Sequence, residues 1–207
     1  MFKRKILSKL EAWKQDERHK PLILRGARQV GKTTVVNEFG SQFDNYLYFN
    51  LEISESVRLF EMDIPLNDLV NMLFASLGKS QKKGSTLIFI DEIQNSPKTI
   101  ALLRYFYEQR PDLYVIAAGS LLENLVDVNV SFPVGRVMYL ALRPCSFYEF
   151  LGAIGKNNLL TILSQKAEYS IAFHEQLMHQ FNQYTIIGGM PEAVQHYAET
   201  QDIMAIE

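Results

Sequence analysis

The sequence contains a single cysteine, Cys145, among its 207 residues. An internal disulfide is therefore excluded, and the low cysteine content fits a reducing cytosol. No apolar run approaches the roughly 18–20 residues that a membrane-spanning helix needs. The first residues include basic side chains but no apolar stretch of signal-peptide length, since Glu11 and Lys14 follow soon after. These absences lead us to expect a cytoplasmic protein without a membrane span.

The sequence also has little net charge and no cluster of metal-binding residues. The formal net charge of −2 gives no general argument for a nucleic-acid or anionic-membrane partner. The four histidines have no cysteine or acidic cluster at metal-ligand spacing, so we expect no structural metal. Apolar residues make up 47% and charged residues 21%, which is typical of a globular protein. The length allows one large domain, or one domain with a small appendage.

The most informative stretch is residues 26–33, which read Gly-Ala-Arg-Gln-Val-Gly-Lys-Thr. This is a complete phosphate-binding loop pattern, G-x-x-x-x-G-K-T. Gly26 and Gly31 permit the backbone conformations that point successive N–H groups at an anion. Lys32 brings a cation to the β- and γ-phosphates of a nucleotide, and the Thr33 hydroxyl is a ligand for Mg²⁺.

The residues on either side of this loop have the expected local patterns. Residues 21–25 read as a short buried strand that leads into the loop, and residues 33–39 read as the helix that leaves it. The start of that helix adds the positive end of its dipole to the anion site. We therefore predict ATP or ADP with Mg²⁺ as ligands; whether Arg28 approaches a phosphate or points to solvent stays open. The predicted nucleotide-contacting residues of the loop are Gly26, Ala27, Arg28, Gln29, Val30, Gly31, Lys32, Thr33 and Thr34.

A second motif follows the apolar run at residues 86–90, which is typical of a strand buried on both faces. It ends in Asp91 and Glu92, and two acids at the tip of a buried strand need a partner unless they are solvated. With Thr33, Asp91 is predicted to hold the metal ion through a bound water. Glu92 is predicted to orient and deprotonate the water that attacks the γ-phosphorus. No N-K-x-D motif for reading guanine occurs, which favours adenine.

Strand and helix patterns alternate between residues 20 and 145. This alternation predicts a three-layer α/β P-loop NTPase fold with a parallel five-stranded sheet. The predicted strands are residues 21–25, 45–51, 86–90, 113–118 and 136–142, with 45–51 as a candidate outer strand. Ser96 with Pro97 and Ser146 with Glu149 have the spacing of helix starts.

Strand patterns end near residue 156, which predicts a small helical subdomain behind the sheet. We therefore expect an ATPase domain at residues 1–155, with an N-terminal helix within residues 1–19, and a helical subdomain at 156–207. Residues 202–207 have a helical pattern without a stop, so we expect the natural protein to continue beyond them.

Ser120 lies at the end of the predicted strand 113–118. In a parallel sheet the strand ends line the ligand crevice, so its hydroxyl could contact the γ-phosphate or the attacking water. It could equally cap a helix at residues 121–126, and one hydroxyl could do both.

Six motifs together resemble the N-terminal ATPase part of a large family of poorly characterised prokaryotic AAA+-class ATPases. The resemblance covers nearly the whole chain, and family members typically continue into a C-terminal domain of unknown function. The family's usual fifth motif is L-x-P-L-S-F-x-E-F, so Cys145 departs from it, which we interpret as packing only. The motifs are residues 26–34, 90–92, 118–120, 134–136, 142–150 and 188–191, in that order.

The resemblance adds two residues to the candidate site. Arg136 matches a family arginine that could contact phosphate from its own or a neighbouring subunit, although a solvated arginine at a strand start is equally compatible. Residues 188–191 resemble the G-x-P element of related switch ATPases, in which the proline packs on adenine, so Pro191 is a predicted base contact. A plain turn between helices is the alternative.

The implied function is Mg²⁺-dependent ATP hydrolysis that switches a conformation, with the helical part closing over the nucleotide. The predicted catalytic residues are Glu92, Lys32, Ser120 and Arg136. Two other functions stay open: a phosphotransferase, and an interaction module that binds nucleotide but hardly hydrolyses it. The sequence identifies no protein or nucleic-acid target, and homo-oligomer formation stays open.

Overall fold

The computed structural model describes residues 2–120, 133, 135–165 and 171–204. The chain divides into two compact units, one of Ser8–Leu142 and one of Met1–Leu7 with Arg143–Glu207. The sequence predicted a boundary at residue 155, whereas this division assigns residues 143–155 to the second unit. As a statement about separate domains, that boundary stays a prediction.

A five-stranded, all-parallel sheet forms the centre of the first unit, in the order β2-β3-β4-β1-β5. Each predicted strand corresponds to one strand of this sheet, so the predicted fold class is confirmed. Because β4 separates β1 from β3, one strand lies between the strand before the phosphate loop and the strand that ends in the two acids. The strands are β1 (Leu22–Arg25), β2 (Asn45–Asn50), β3 (Thr86–Asp91), β4 (Leu113–Gly119) and β5 (Met138–Ala141).

Helices cover both faces of this sheet. The first unit contains α1 (Ile6–Gln15) from Ser8 onward, and all of α2 (Lys32–Gly40), α3 (Ser54–Phe60), α4 (Leu66–Ser76) and α5 (Pro97–Gln109). The apolar sides of α3, α4 and α5 form one core cluster with alternate residues of the strands, such as Ile88 and Ile90. On the opposite face, Trp13 of α1 packs against Phe39 of α2 and Tyr114 of β4. Every residue of β3 is buried, as its apolar run predicts.

The predicted helix starts are present with their side-chain caps. Ser96 accepts a hydrogen bond from the Thr99 backbone N–H, and Pro97 is the first residue of α5. Between β3 and α5 the chain forms a short 3₁₀ turn, Ile93–Asn95, which the sequence did not predict. This turn directly follows Glu92.

The second unit is helical, with α6 (Phe147–Ala153), α7 (Asn157–Gln165), α8 (Ile171–Ile187) and α9 (Pro191–Thr200). Its core includes Phe150, Val194 and Cys145, and burial raises the pKa of the Cys145 thiol to about 11. One expectation is wrong here: α9 ends at Thr200, and residues 202–204 are not helical. Gln201 adopts a left-handed conformation with φ 55°, which stops the helix. Residues 205–207 lie outside the described ranges.

A buried ion pair fixes the start of the chain to α6 within this unit. The Arg4 Nε lies 2.9 Å from Glu149 Oε1, and both side chains are almost completely buried. Glu149 also closes the capping box with Ser146, and the Lys5 backbone N–H donates to it. Burial alone raises the pKa of Glu149. The N–H donors and the Arg4 charge outweigh that effect, so the pKa lies below its ordinary value.

Candidate active site

The phosphate-binding loop begins where β1 ends, at the carboxyl edge of the sheet. Arg25 pairs with Gly119 of β4, and its carbonyl accepts a hydrogen bond of 2.7 Å from the Leu142 backbone N–H. The Leu142 backbone therefore passes very close to the next residue. A Cβ atom at Gly26 would lie 2.3 Å from the Leu142 carbonyl oxygen. Only glycine fits at this position, which gives the first glycine of the motif a packing role.

In the middle of the loop, one side chain is buried and three are exposed. Val30 is completely buried, whereas Ala27, Arg28 and Gln29 are exposed. Gln29 and Gly31 have positive φ angles of 63° and 86°. Alternation of left- and right-handed residues turns backbone N–H groups towards one point, which is the geometry of an anion site. Arg28, whose position the sequence left open, faces solvent.

Lys32 is the first residue of α2 and lies folded over the loop. Its Nζ donates to the carbonyl oxygens of Gly26 and Ala27, both at 2.8 Å. Burial lowers the pKa of Lys32 from its ordinary value, and the Arg28 charge adds to this effect. The carboxylates of Glu92 and Asp91 act in the opposite direction. The ammonium group therefore lies within electrostatic range of both acids.

Thr33 and Asp91 join the two sequence motifs directly. The Thr33 Oγ1 donates to Asp91 Oδ2 at 2.6 Å, which links the start of α2 to the end of β3. Burial raises the pKa of Asp91, the hydrogen bonds from Thr33 and the Glu92 backbone partly reverse this, and the Glu92 charge adds to it. A hydroxyl and a carboxylate that lie side by side provide the oxygen ligands that Mg²⁺ prefers. The residues predicted as metal ligands are thus brought together.

Glu92 has an unusual backbone conformation, with φ 53° and ψ 45°. Left-handed backbone is uncommon for residues other than glycine and costs on the order of 1 kcal/mol, so it persists only where the surroundings enforce it. The Glu92 carboxylate accepts a hydrogen bond from the side-chain amide of Gln94. Gln94 was missed at the sequence level, because its role depends on the 3₁₀ turn that places it.

Ser120 follows β4 and lies at the same edge of the sheet. Strand pairing matches Arg25 with Gly119, so the next residues, Gly26 and Ser120, follow at the same level. The Ser120 Oγ is buried and has no hydrogen-bond partner within the described residues. The alternative role as a helix cap concerns residues 121–126, which lie outside the described ranges. Both interpretations of Ser120 stay open.

The structure does not bring Arg136 to the other predicted residues. It precedes β5, whose Met138 pairs with Leu22 at the amino end of β1. At about 3.3 Å per residue, this places Arg136 roughly 15–20 Å from the loop along the strand direction. Its Nε lies 3.1 Å from Glu108 Oε1, and its side chain is half exposed. A phosphate contact within the same chain does not fit this position.

Of two further residues, Pro191 was predicted to contact the nucleotide and Tyr48 was not. Pro191 is the first residue of α9 in the second unit, and its predicted contact with adenine stays a prediction. Tyr48 of β2, to which the sequence assigned no role, lies beside the acids. Burial and the charges of Asp91 and Glu92 raise the pKa of its phenol. The alternating burial of β2 could have indicated which side Tyr48 faces. Its position beside the acids could not be predicted, because that requires knowing that β2 pairs with β3.

Comparison with known proteins defines the class. A family model described as an AAA domain matches residues 18–151, and the chain belongs to this family. A curated relative, the uncharacterized protein MJ1637 of Methanocaldococcus jannaschii, is 21% identical over 208 residues, a match that covers 92% of this chain and 42% of that protein. The chain therefore spans less than half the length of this relative. A C-terminal domain beyond residue 207 stays a prediction.

Solved structures agree with the fold. The Walker-type ATPase PABY2304 of Pyrococcus abyssi has a TM-score of 0.57 at 17% identity, over 99% of this chain and 69% of that one. A chain of the Drosophila ORC bound to DNA has a TM-score of 0.50 at 15% identity, over 92% of this chain and 58% of its own. Family, sheet and loop together define an AAA-like P-loop ATPase domain. Within the described ranges, no helix has the length and apolar character to cross a membrane.

Proposed function

We propose that this domain binds Mg·ATP at the loop and hydrolyses it with Glu92 as the general base. The observation that carries the proposal is the 2.6 Å hydrogen bond from Thr33 Oγ1 to Asp91 Oδ2, because it joins the loop and the acidic strand end at one point. Thr33 and Asp91 would hold Mg²⁺, Thr33 through its hydroxyl and Asp91 through a bound water, and the metal would neutralise charge on the phosphates.

Lys32 changes partners when the nucleotide binds. Its ammonium group leaves the carbonyl oxygens of Gly26 and Ala27 and moves to the β- and γ-phosphates, which are stronger acceptors because they are charged. The backbone N–H groups of the loop surround the same phosphates. The cost of burying the Lys32 charge is then offset by a ligand of opposite charge.

Hydrolysis needs a base close to the water that attacks the γ-phosphorus. Water adds to the γ-phosphorus while the bond between this phosphorus and the bridging oxygen breaks, and the proton of the water passes to Glu92. The products are ADP and inorganic phosphate. Ser120, with an unpartnered hydroxyl at the same edge of the sheet, donates to the γ-phosphate or to the attacking water.

Exchange of Glu92 for glutamine tests this step. Glu92→Gln keeps the side-chain shape and removes the base, so phosphate release should fall by roughly 10²–10⁴-fold while ATP still binds. Glu52→Gln is the matched control, since Glu52 is an exposed acid just after β2. Hydrolysis at the wild-type rate by Glu92→Gln would exclude Glu92 as the base.

The helical unit and Arg136 add two finer proposals. Pro191 packs on adenine, so that the helical unit responds to nucleotide. Hydrogen exchange in residues 180–195 should then slow when ADP or ATP is added, and unchanged exchange contradicts this.

Arg136 serves the nucleotide site of a neighbouring copy, because its position excludes a contact with the site of its own chain. Mixing Arg136→Ala with Glu92→Gln should then restore hydrolysis, and a mixture no more active than its parts argues against it.

A nucleotide-regulated interaction module with little hydrolysis is the second candidate. One observation is compatible with it: the Gln94 amide already holds one oxygen of the Glu92 carboxylate. Comparison of the ATP dissociation constant with the turnover number separates the two candidates. Micromolar binding with turnover no faster than that of Glu92→Gln would favour the module. Nothing observed favours a phosphotransferase.

A further inference from the structure

The amide of Gln94 has a defined orientation beside Glu92. A carboxylate can only accept hydrogen bonds, so the group that faces Glu92 Oε2 is the amide nitrogen of Gln94. The amide oxygen, Oε1, therefore lies on the other side. It is buried and, within the described part of the chain, has no donor.

The backbone holds these two side chains in a fixed relation. The 3₁₀ turn is closed by hydrogen bonds of 3.1 Å from the Asn95 N–H to the Glu92 carbonyl and from the Ser96 N–H to the Ile93 carbonyl. Ile93 is completely buried, and Ser96 caps α5 immediately afterwards. The turn is therefore anchored on both sides, and Gln94 stays next to Glu92.

This arrangement is not explained by stability. A buried acceptor without a donor is unfavourable, and an apolar side chain of the same size would avoid that cost. The left-handed backbone of Glu92 adds strain at the same place. Two unfavourable features at the end of one strand point to a function that needs them.

We propose that Gln94 is a positioning residue that orients the Glu92 carboxylate for base catalysis, an inference that rests on the proposed role of Glu92. The amide holds Oε2, which leaves Oε1 of Glu92 free to face the attacking water. A neutral donor suits this task because it restricts the rotation of the glutamate without neutralising it. Lysine or arginine at this position would form an ion pair and weaken the base.

The first test exchanges Gln94 for methionine, which has similar length and no hydrogen-bonding amide. Because the inference assigns Gln94 a contact with Glu92 and none with the nucleotide, the ATP dissociation constant and the KM should stay within about twofold. The kcat should fall roughly 10- to 100-fold, as expected when a base loses its orientation. The melting temperature should change little, since the lost hydrogen bond to Glu92 and the removed buried acceptor act in opposite directions. Asn95→Leu, an exposed amide in the same turn, is the control and should keep wild-type kcat.

A double-mutant comparison shows whether Gln94 acts through Glu92. In the Glu92→Gln background, Gln94→Met should cause no further loss of the residual rate, because there is no base left to orient. Wild-type kcat in Gln94→Met, or losses that multiply in the double variant, would overturn the inference. Failure of the proposed function itself is seen separately, as full activity of the single variant Glu92→Gln.

Discussion

Replacement of Asp91 by asparagine should stabilise the ligand-free chain while it removes Mg²⁺-dependent binding. The Asp91 carboxylate is buried, and burial raises its pKa above the ordinary value of 3.8. In the native state this group therefore binds its proton more tightly than in the unfolded chain. Stability contributed by the protonated form is lost as the pH rises from about 3.8 through the raised pKa.

As the pH rises towards 7 the wild type increasingly carries the cost of ionising this buried carboxylate, and Asp91→Asn does not. The amide can still accept from the Glu92 N–H, and the Thr33 hydroxyl can reverse and accept from the new NH₂ group. Both of these hydrogen bonds can therefore be kept. Stabilising changes of this kind at functional sites contribute about 0.5–2 kcal/mol, which corresponds to roughly 1–8 °C in Tm for a chain of this size.

The assay is thermal unfolding of both proteins in EDTA, from pH 7 down to pH 3.5, and again with Mg·ATP. We expect the Tm of Asp91→Asn to exceed that of the wild type at pH 7 and the difference to shrink in acid. Mg·ATP should raise the Tm of the wild type much more than that of the variant. Asp44→Asn is the control of opposite sign, because hydrogen bonds from Ser85 lower the pKa of that exposed carboxylate. A less stable Asp91→Asn at pH 7 without ligand would refute the reasoning.

Two predictions concern packing and a buried ion pair. Gly26→Ala should lose about 1–3 kcal/mol of stability, because its Cβ would meet the Leu142 carbonyl at 2.3 Å. Gly152→Ala, whose Cβ would lie 3.6 Å from the nearest side chain, should be neutral or slightly stabilising, and equal Tm losses in the two variants would contradict this. Glu149→Gln should cost roughly 3 kcal/mol at pH 7 by breaking the pair with Arg4. Because the pKa of Glu149 is lowered in the fold, the Tm difference should disappear as the pH falls from 4.5 through that lowered value; a constant difference contradicts the pairing.

The parts of the fold that depend on local pattern were predictable from the sequence. Apolar runs located all five strands, and short polar signatures located the caps at Ser96 and Ser146. A helix was expected at residues 202–207, but residues 202–204 are not helical. Gln201 adopts the left-handed conformation that ends α9, and no glycine or proline at this point of the sequence indicates that stop. Strand order, by contrast, depends on long-range pairing that no local pattern encodes.

The candidate site shows the same division. The loop, Asp91 and Glu92 were found because each motif has a chemical reason for its spacing. Gln94 was missed because only the 3₁₀ turn reveals its contact with Glu92. Arg136 was predicted by resemblance to contact phosphate from its own or a neighbouring subunit, and its position before β5 argues only against the first of these. In a parallel sheet, residues before a strand lie at the edge opposite the loop, so the sequence already contained that signal.

The most direct test of nucleotide binding at this loop is isothermal titration of ATP with Mg²⁺ into the wild type and Lys32→Ala. A charge-assisted contact to phosphate is worth roughly 1.5–3 kcal/mol, so we predict that the variant binds ATP on the order of 10- to 100-fold more weakly. Lys79→Ala, which changes an exposed lysine after α4, should bind like the wild type. Unchanged ATP affinity in a folded Lys32→Ala would contradict binding of the phosphates at this loop.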